Sequence, residues 1–222
     1  MKKKILVLAA AALSLTAAVS GTLAYFTDTG TAHNTITTGG VDIVLVETTD
    51  KQDEHGNFLP FKDVDGVMPG AAVSKIVQVE NIGKTDAWIR VKVEPKITDK
   101  AGRELPLTFG AENTPVITWD VGEDWLQDGD YYYYKHVMRY DVEKAANNLT
   151  TPLFREVKFN RLMGNEYQNC RVEIKVTAQA AQFKNNDPRE TDEELSAGLA
   201  AQIKGWPADD KVKEQPETEA DE

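Results

Sequence analysis

Apolar and polar residues alternate along most of this chain with a period of two. That spacing sends one face of a strand into a core and the other toward water. The cleanest run is residues 87–94, where Ala87, Ile89, Val91 and Val93 alternate with Trp88, Arg90, Lys92 and Glu94; the second set is expected to face outward. Residues 171–182 repeat the pattern, with Val172, Ile174, Val176, Ala178 and Ala180 inward, and read as the last core strand. Residues 41–47 are apolar on one face and partly so on the other, which suits a central strand buried on both sides. Further strands are expected at residues 35–38, 73–80, 116–121, 131–134 and 153–159. Turn signals separate them, such as Asn81-Ile82-Gly83-Lys84 and Asp128-Gly129-Asp130. Residues 97–115 read as loop and residues 141–147 as a short helical turn. Many short strands between Gly, Pro, Asn and Asp predict an all-β antiparallel sandwich or barrel.

The period changes near the C-terminus. Asp187-Pro188-Arg189-Glu190 offers an N-cap, a proline at the first helical position and a glutamate three residues past the cap. Leu195, Leu199 and Ile203 then recur every four residues. Together they predict an amphipathic helix over residues 187–205 that docks on the same domain, stopped by Gly205 and Pro207. Residues 208–222 hold seven acids and two lysines. Too little there is apolar to fold, so residues 206–222 are expected to form a disordered acidic tail.

The N-terminus has a different logic. Lys2, Lys3 and Lys4 precede an apolar run of fifteen residues, 5–19; Ser20, Gly21 and Thr22 then break the helix ahead of the small residue Ala24. This is the layout of a secretory signal peptide over residues 1–24. A permanent span needs roughly 20 apolar residues, so a retained anchor is the weaker alternative.

The residues around that junction carry a resemblance. Gly21-Thr22-Leu23-Ala24-Tyr25-Phe26-Thr27-Asp28, followed by Asn34-Thr35-Ile36 and Gly39-Gly40-Val41-Asp42-Ile43, resembles the signal-and-start segment of the TasA/camelysin family. Those are secreted Gram-positive proteins processed by the dedicated signal peptidase SipW. A second stretch is similar to the family as well: Met68-Pro69-Gly70, then Val73-Ser74-Lys75, Asn81 and Gly83, then Ala87-Trp88-Ile89-Arg90-Val91-Lys92-Val93. The resemblance implies cleavage between Ala24 and Tyr25. It also implies a jelly-roll β-sandwich, here over residues 25–186, in which the second stretch makes two adjacent strands. Subunits of the family polymerise when one subunit's N-terminal strand completes the next subunit's sandwich. The implied location is the biofilm matrix or cell surface of a Gram-positive bacterium, with the membrane touched only before cleavage. The implied partners are further copies of the chain, other matrix subunits and the signal peptidase.

The residues freed by cleavage fit that role. Residues 25–40 are Thr-rich, with Asp28 as their single acid and no Lys, Arg or Pro, which suits them to adding onto a sheet edge. Tyr25, Phe26, Thr35, Ile36 and Thr37 are the candidate assembly residues.

Composition narrows the remaining possibilities. The chain has 222 residues and a formal charge of -11. Loss of Lys2, Lys3 and Lys4 with the signal peptide takes the charge to about -14, which repels nucleic acid and anionic lipid. The single cysteine, Cys170, excludes an intramolecular disulfide; it is expected to be buried and inert, the alternative being a link between chains.

Candidate chemistry is sparse. The family's camelysin-like relatives have been described as peptidases, but His33, His55 and His136 lie far apart and none has a histidine four residues away. No zinc-protease motif, nucleophile elbow or phosphate loop is present, so neither an enzyme nor a cofactor is expected. Asp63-Val64-Asp65-Gly66 and Asp128-Gly129-Asp130 resemble fragments of calcium loops but lack the later glutamate, and read as turns. Trp88, Tyr131 and Tyr133 form a candidate face for a glycan or protein ligand, since alternate tyrosines of the tetrad at residues 131–134 fall on one side of a strand.

Overall fold

The computed structural model describes residues 24–26, 34–36, 40–61, 64–140, 148–167, 170–187, 191, 193–208 and 213–214. In chain order the strands are β1 (Ala24–Phe26), β2 (Asn34–Ile36), β3 (Ile43–Gln52), β4 (Phe58–Pro60), β5 (Val64–Val67), β6 (Ala72–Asn81), β7 (Ala87–Thr98) and β8 (Glu104–Leu105). Next come β9 (Thr108–Phe109), β10 (Thr114–Pro115), β11 (Ile117–Thr118), β12 (Trp125–Asp128), β13 (Tyr131–Tyr134), β14 (Phe154–Phe159), β15 (Arg171–Gln182) and β16 (Lys213–Glu214). A 3-10 turn covers Asn165–Tyr167, and one helix, α1, covers Ala197–Ala200.

Two mostly antiparallel sheets form a β-sandwich, as the alternation predicts. The first runs β12-β13-β7-β15-β1-β5, with β8 on the end of β7, β2 beside β15, and β16 on β2. The second runs β11-β14-β6-β3-β4. Strands β9 and β10 make a separate ribbon. The core lies between the sheets. Ile43, Leu45, Val77, Val79, Phe154 and Val157 meet Ile89, Val91, Val172, Ile174, Val176 and Ala178 across it. Burying side chains of this size stabilises the fold by about 1.5–3 kcal/mol each.

Strand β15 coincides with the expected last core strand, and its five inward residues all join that core. One polar pair also points inward. Lys75 on β6 and Glu47 on β3 follow the inward parity of Val77 and Leu45, and their side chains are 1% and 5% exposed. Lys75 Nζ lies 2.9 Å from Glu47 Oε1. The contact is an ion pair outside hydrogen-bond direction, because that oxygen has no directed donor. Lys75 also sits 4.1 Å from the Phe61 ring centroid.

The structure corrects several expectations. Residues 97–115 are not plain loop: β8, β9 and β10 fall within them. The strand expected at 116–121 shrinks to Ile117–Thr118. Of the helix expected over 187–205, the described residues show only α1, with Ser196 at its N-cap position and no side-chain capping bond. Its start is pre-empted because the Leu195 N–H donates to the Lys135 carbonyl at 2.9 Å, tying the chain to the first sheet. Docking on the same domain does occur, through Leu195, Ala200 and Ile203. Leu199 packs against the same layer, so all three residues of the expected stripe dock there. The helical turn at residues 141–147 and the cap residues 188–190 lie outside the described residues.

Candidate assembly edge

Strand β15 is twelve residues long, and its two edges are treated differently. One edge pairs with β7 along its whole length, from Arg171 opposite Thr98 to Gln182 opposite Ala87. The other takes the N-terminal segment, in parallel. Tyr25 and Phe26 lie opposite Arg171 and Val172. Asn34, Thr35 and Ile36 lie opposite Thr177, Ala178 and Gln179. Four of the five candidate assembly residues therefore sit on one edge; Thr37 is outside the described residues.

The expected ribbon, free after cleavage, is instead docked in its own chain. Strand β1 has β5 on its outer side, with Ala24 opposite Val67, so the Ala24–Tyr25 bond lies within a paired strand. Strand β2 has β16 on its outer side, with Lys213 opposite Thr35 and Glu214 opposite Asn34. An open edge leaves backbone N–H and C=O groups without protein partners, and the nearest strand-prone segment satisfies them. Part of the tail expected to be disordered is thus a strand, and Trp206 and Pro207 are packed. The remaining residues of that tail lie outside the described residues.

The candidate aromatic face is corrected too. Trp88 is fully buried and Tyr133 is 6% exposed. Trp88, Arg90, Tyr131 and Tyr133 do point away from the core, but residues 195–206 lie over them. This outer layer unites Trp88, Tyr133, Ala181, Leu195, Ala200 and Ile203, with Trp206 packed against it. Trp206 meets Tyr133 edge-on at 5.8 Å. The Arg90 guanidinium stacks 3.8 Å from the Tyr131 ring centroid and 4.6 Å from that of Trp206. Its Nε donates to Gln179 Oε1 at 2.6 Å. Tyr132 and Tyr134 face the core, where Tyr134 packs on Trp125 at 5.1 Å.

Arg90, Gln179 and Trp206 are residues that sequence reasoning passed over. Arg90 and Gln179 looked like ordinary outward positions of alternating strands. Trp206 carried the usable signal: a lone tryptophan at the head of an otherwise acidic tail needs somewhere to pack.

His55 lies in an exposed hairpin 3.5 Å from Glu54, and His136 Nε2 lies 3.2 Å from Asp124 Oδ1. His33 and Asp63 lie outside the described residues. Among the described residues no three His, Cys, Asp or Glu side chains come together as a ligand set. Asp128, Gly129 and Asp130 close the turn from β12 to β13. The Thr151 hydroxyl, then His136, holds the Asp124 carboxyl below its ordinary range. Burial pushes the Cys170 thiol up, and the thiol donates to the Glu166 carbonyl at 3.5 Å. A half-open cavity of about 430 Å³ opens at the far end of the first sheet between Lys84, Tyr140, Phe183 and Lys184. Asp86, which also lines it, lies 2.6 Å from Arg139. Among the described residues no helix is long and apolar enough to cross a membrane.

A family model described as camelysin metallo-endopeptidase matches residues 1–111, half of the chain. The match takes in the N-terminal segment and the strands up to β9. No curated protein and no solved structure matches the chain. With the junction motif, the β-sandwich and the family match agreeing over the same residues, the chain belongs to the TasA/camelysin family.

Proposed function

We propose that the protein is a secreted structural subunit of a cell-surface or biofilm-matrix fibre. Its assembly strand is freed when the dedicated signal peptidase cuts between Ala24 and Tyr25. One observation carries this reading. Four of the five candidate assembly residues lie on one edge of β15, in parallel register, with Tyr25 and Phe26 opposite Arg171 and Val172 and with Asn34, Thr35 and Ile36 opposite Thr177, Ala178 and Gln179. The same segment from a neighbouring copy would pair with that edge in the same way. Backbone pairing of this kind, strand addition to a sheet edge, contributes about 1 kcal/mol net per hydrogen bond. The chain's own segment must leave first, so assembly proceeds by strand exchange. Until cleavage, the membrane tether keeps the segment from reaching another subunit. Other matrix subunits with the same edge are partners of the same kind.

The test compares residues 25–222 with a version lacking residues 25–38, by electron microscopy and sedimentation. Fibres from the first and none from the second are expected. Equal polymerisation by both rejects strand donation.

Endopeptidase activity is a second reading, favoured by the family description alone. Stoichiometric zinc together with chelator-sensitive casein cleavage by the purified chain would establish it, and the absence of both would remove it.

A further inference from the structure

The C-terminal segment does two things at once. Residues 195–206 cover the outer face of the first sheet through Leu195, Ala200, Ile203 and Trp206. Further on, Lys213–Glu214 pairs antiparallel with β2, on the side away from β15. Strand β2 is only three residues long, and its bond to β15 is a parallel ladder, the weaker kind per residue. Removing β16 would leave β2 at a sheet edge, held from one side only.

The two contacts share one residue. The Gln179 backbone is the register partner of Ile36 on β2. The Gln179 side chain holds the Arg90 guanidinium that stacks between Tyr131 and Trp206. Movement of Trp206 therefore reaches the floor on which β2 lies. The docking is also incomplete: the Trp206 indole N–H is buried without an acceptor among the described residues. A buried donor in that state weakens the packing that holds it, as suits a contact that must come off.

We propose that the C-terminal segment is a latch. It keeps the N-terminal strand on its own subunit, through Trp206 on the outer face and β16 on the edge of β2. It must be withdrawn before that strand can be given to another copy. This rests on the strand-donation reading for its purpose, but the contact itself can be tested separately.

Hydrogen exchange at the amides of residues 34–36 reads the latch directly. It would be measured on residues 25–222, on a chain ending at Ala208, and on the full-length Trp206→Ala variant. The truncation leaves the apolar layer whole, so it reports on β16 without disturbing the core. Exchange about tenfold faster in both altered chains is expected, since edge pieces open locally while the core stays closed. Unchanged exchange in the truncated chain overturns the latch. Fibre formation by the same samples separates the two proposals. Faster exchange without fibres in any sample keeps the latch and rejects strand donation. Fibres with unchanged exchange do the reverse.

Discussion

Arg90 Nε donates to Gln179 Oε1 at 2.6 Å, which joins β7 to β15 on the outer face of the first sheet, directly under Trp206. The partner is charged and Gln179 is buried, so the bond is stronger than a surface one. Gln179→Leu is expected to lower stability by about 1.5–3 kcal/mol. A urea titration followed by tryptophan fluorescence checks it, and a midpoint equal to the native one would count against the bond.

The ion pair of Lys75 and Glu47 gives an asymmetric expectation. Lys75→Met strands a carboxylate inside the sandwich and is expected to cost about 3–5 kcal/mol. Joining it to Glu47→Leu removes both charges and is expected to recover most of that loss. Urea midpoints of the two single variants and the double variant form the cycle that measures the coupling.

Cys170 is 1% exposed, and burial raises its thiol above the ordinary range, so little thiolate is present near neutrality. Alkylation by iodoacetamide at pH 8 is expected only on unfolding, as read by intact mass. The purified chain is expected to run as a monomer on non-reducing gels.

Asp124 gives a pH dependence. Thr151 and His136 hold its carboxyl below the ordinary value of 3.8, so the folded chain keeps it charged where the unfolded chain has taken up a proton. Its contribution is complete above that value and fades as the pH falls below it. The residue is 39% exposed, so the effect stays under about 1 kcal/mol. Stability of Asp124→Asn is expected to fall less steeply with acid than that of the native chain, in urea titrations at stepped pH.

The strands β7 and β15 were legible because alternation is a local property, and their inner faces bury what the pattern says they should. The second layer was not legible. Trp88 sits on the polar face of its strand, and only the return of a segment more than a hundred residues later buries it. The C-terminal helix was shortened for the same reason: the bond from Leu195 to Lys135 ties the chain to the first sheet, while Leu195, Leu199 and Ile203 still pack on its outer layer. The candidate assembly segment was singled out by its motif and composition. Its parallel docking on β15, flanked by β5 and β16, depends on pairings between distant parts of the chain that no local pattern encodes.

Strand donation is tested most directly by asking whose β15 the N-terminal strand lies beside. Asn34 and Thr177 are opposite each other in register. One chain would carry Asn34→Cys and a second Thr177→Cys, with buried Cys170 out of reach of both. The two would be mixed, allowed to assemble and oxidised. A disulfide-linked pair joining the two different chains, present in the fibre fraction, is the expected result. Oxidation that links these positions only within a chain carrying both cysteines, and never between chains, would contradict it.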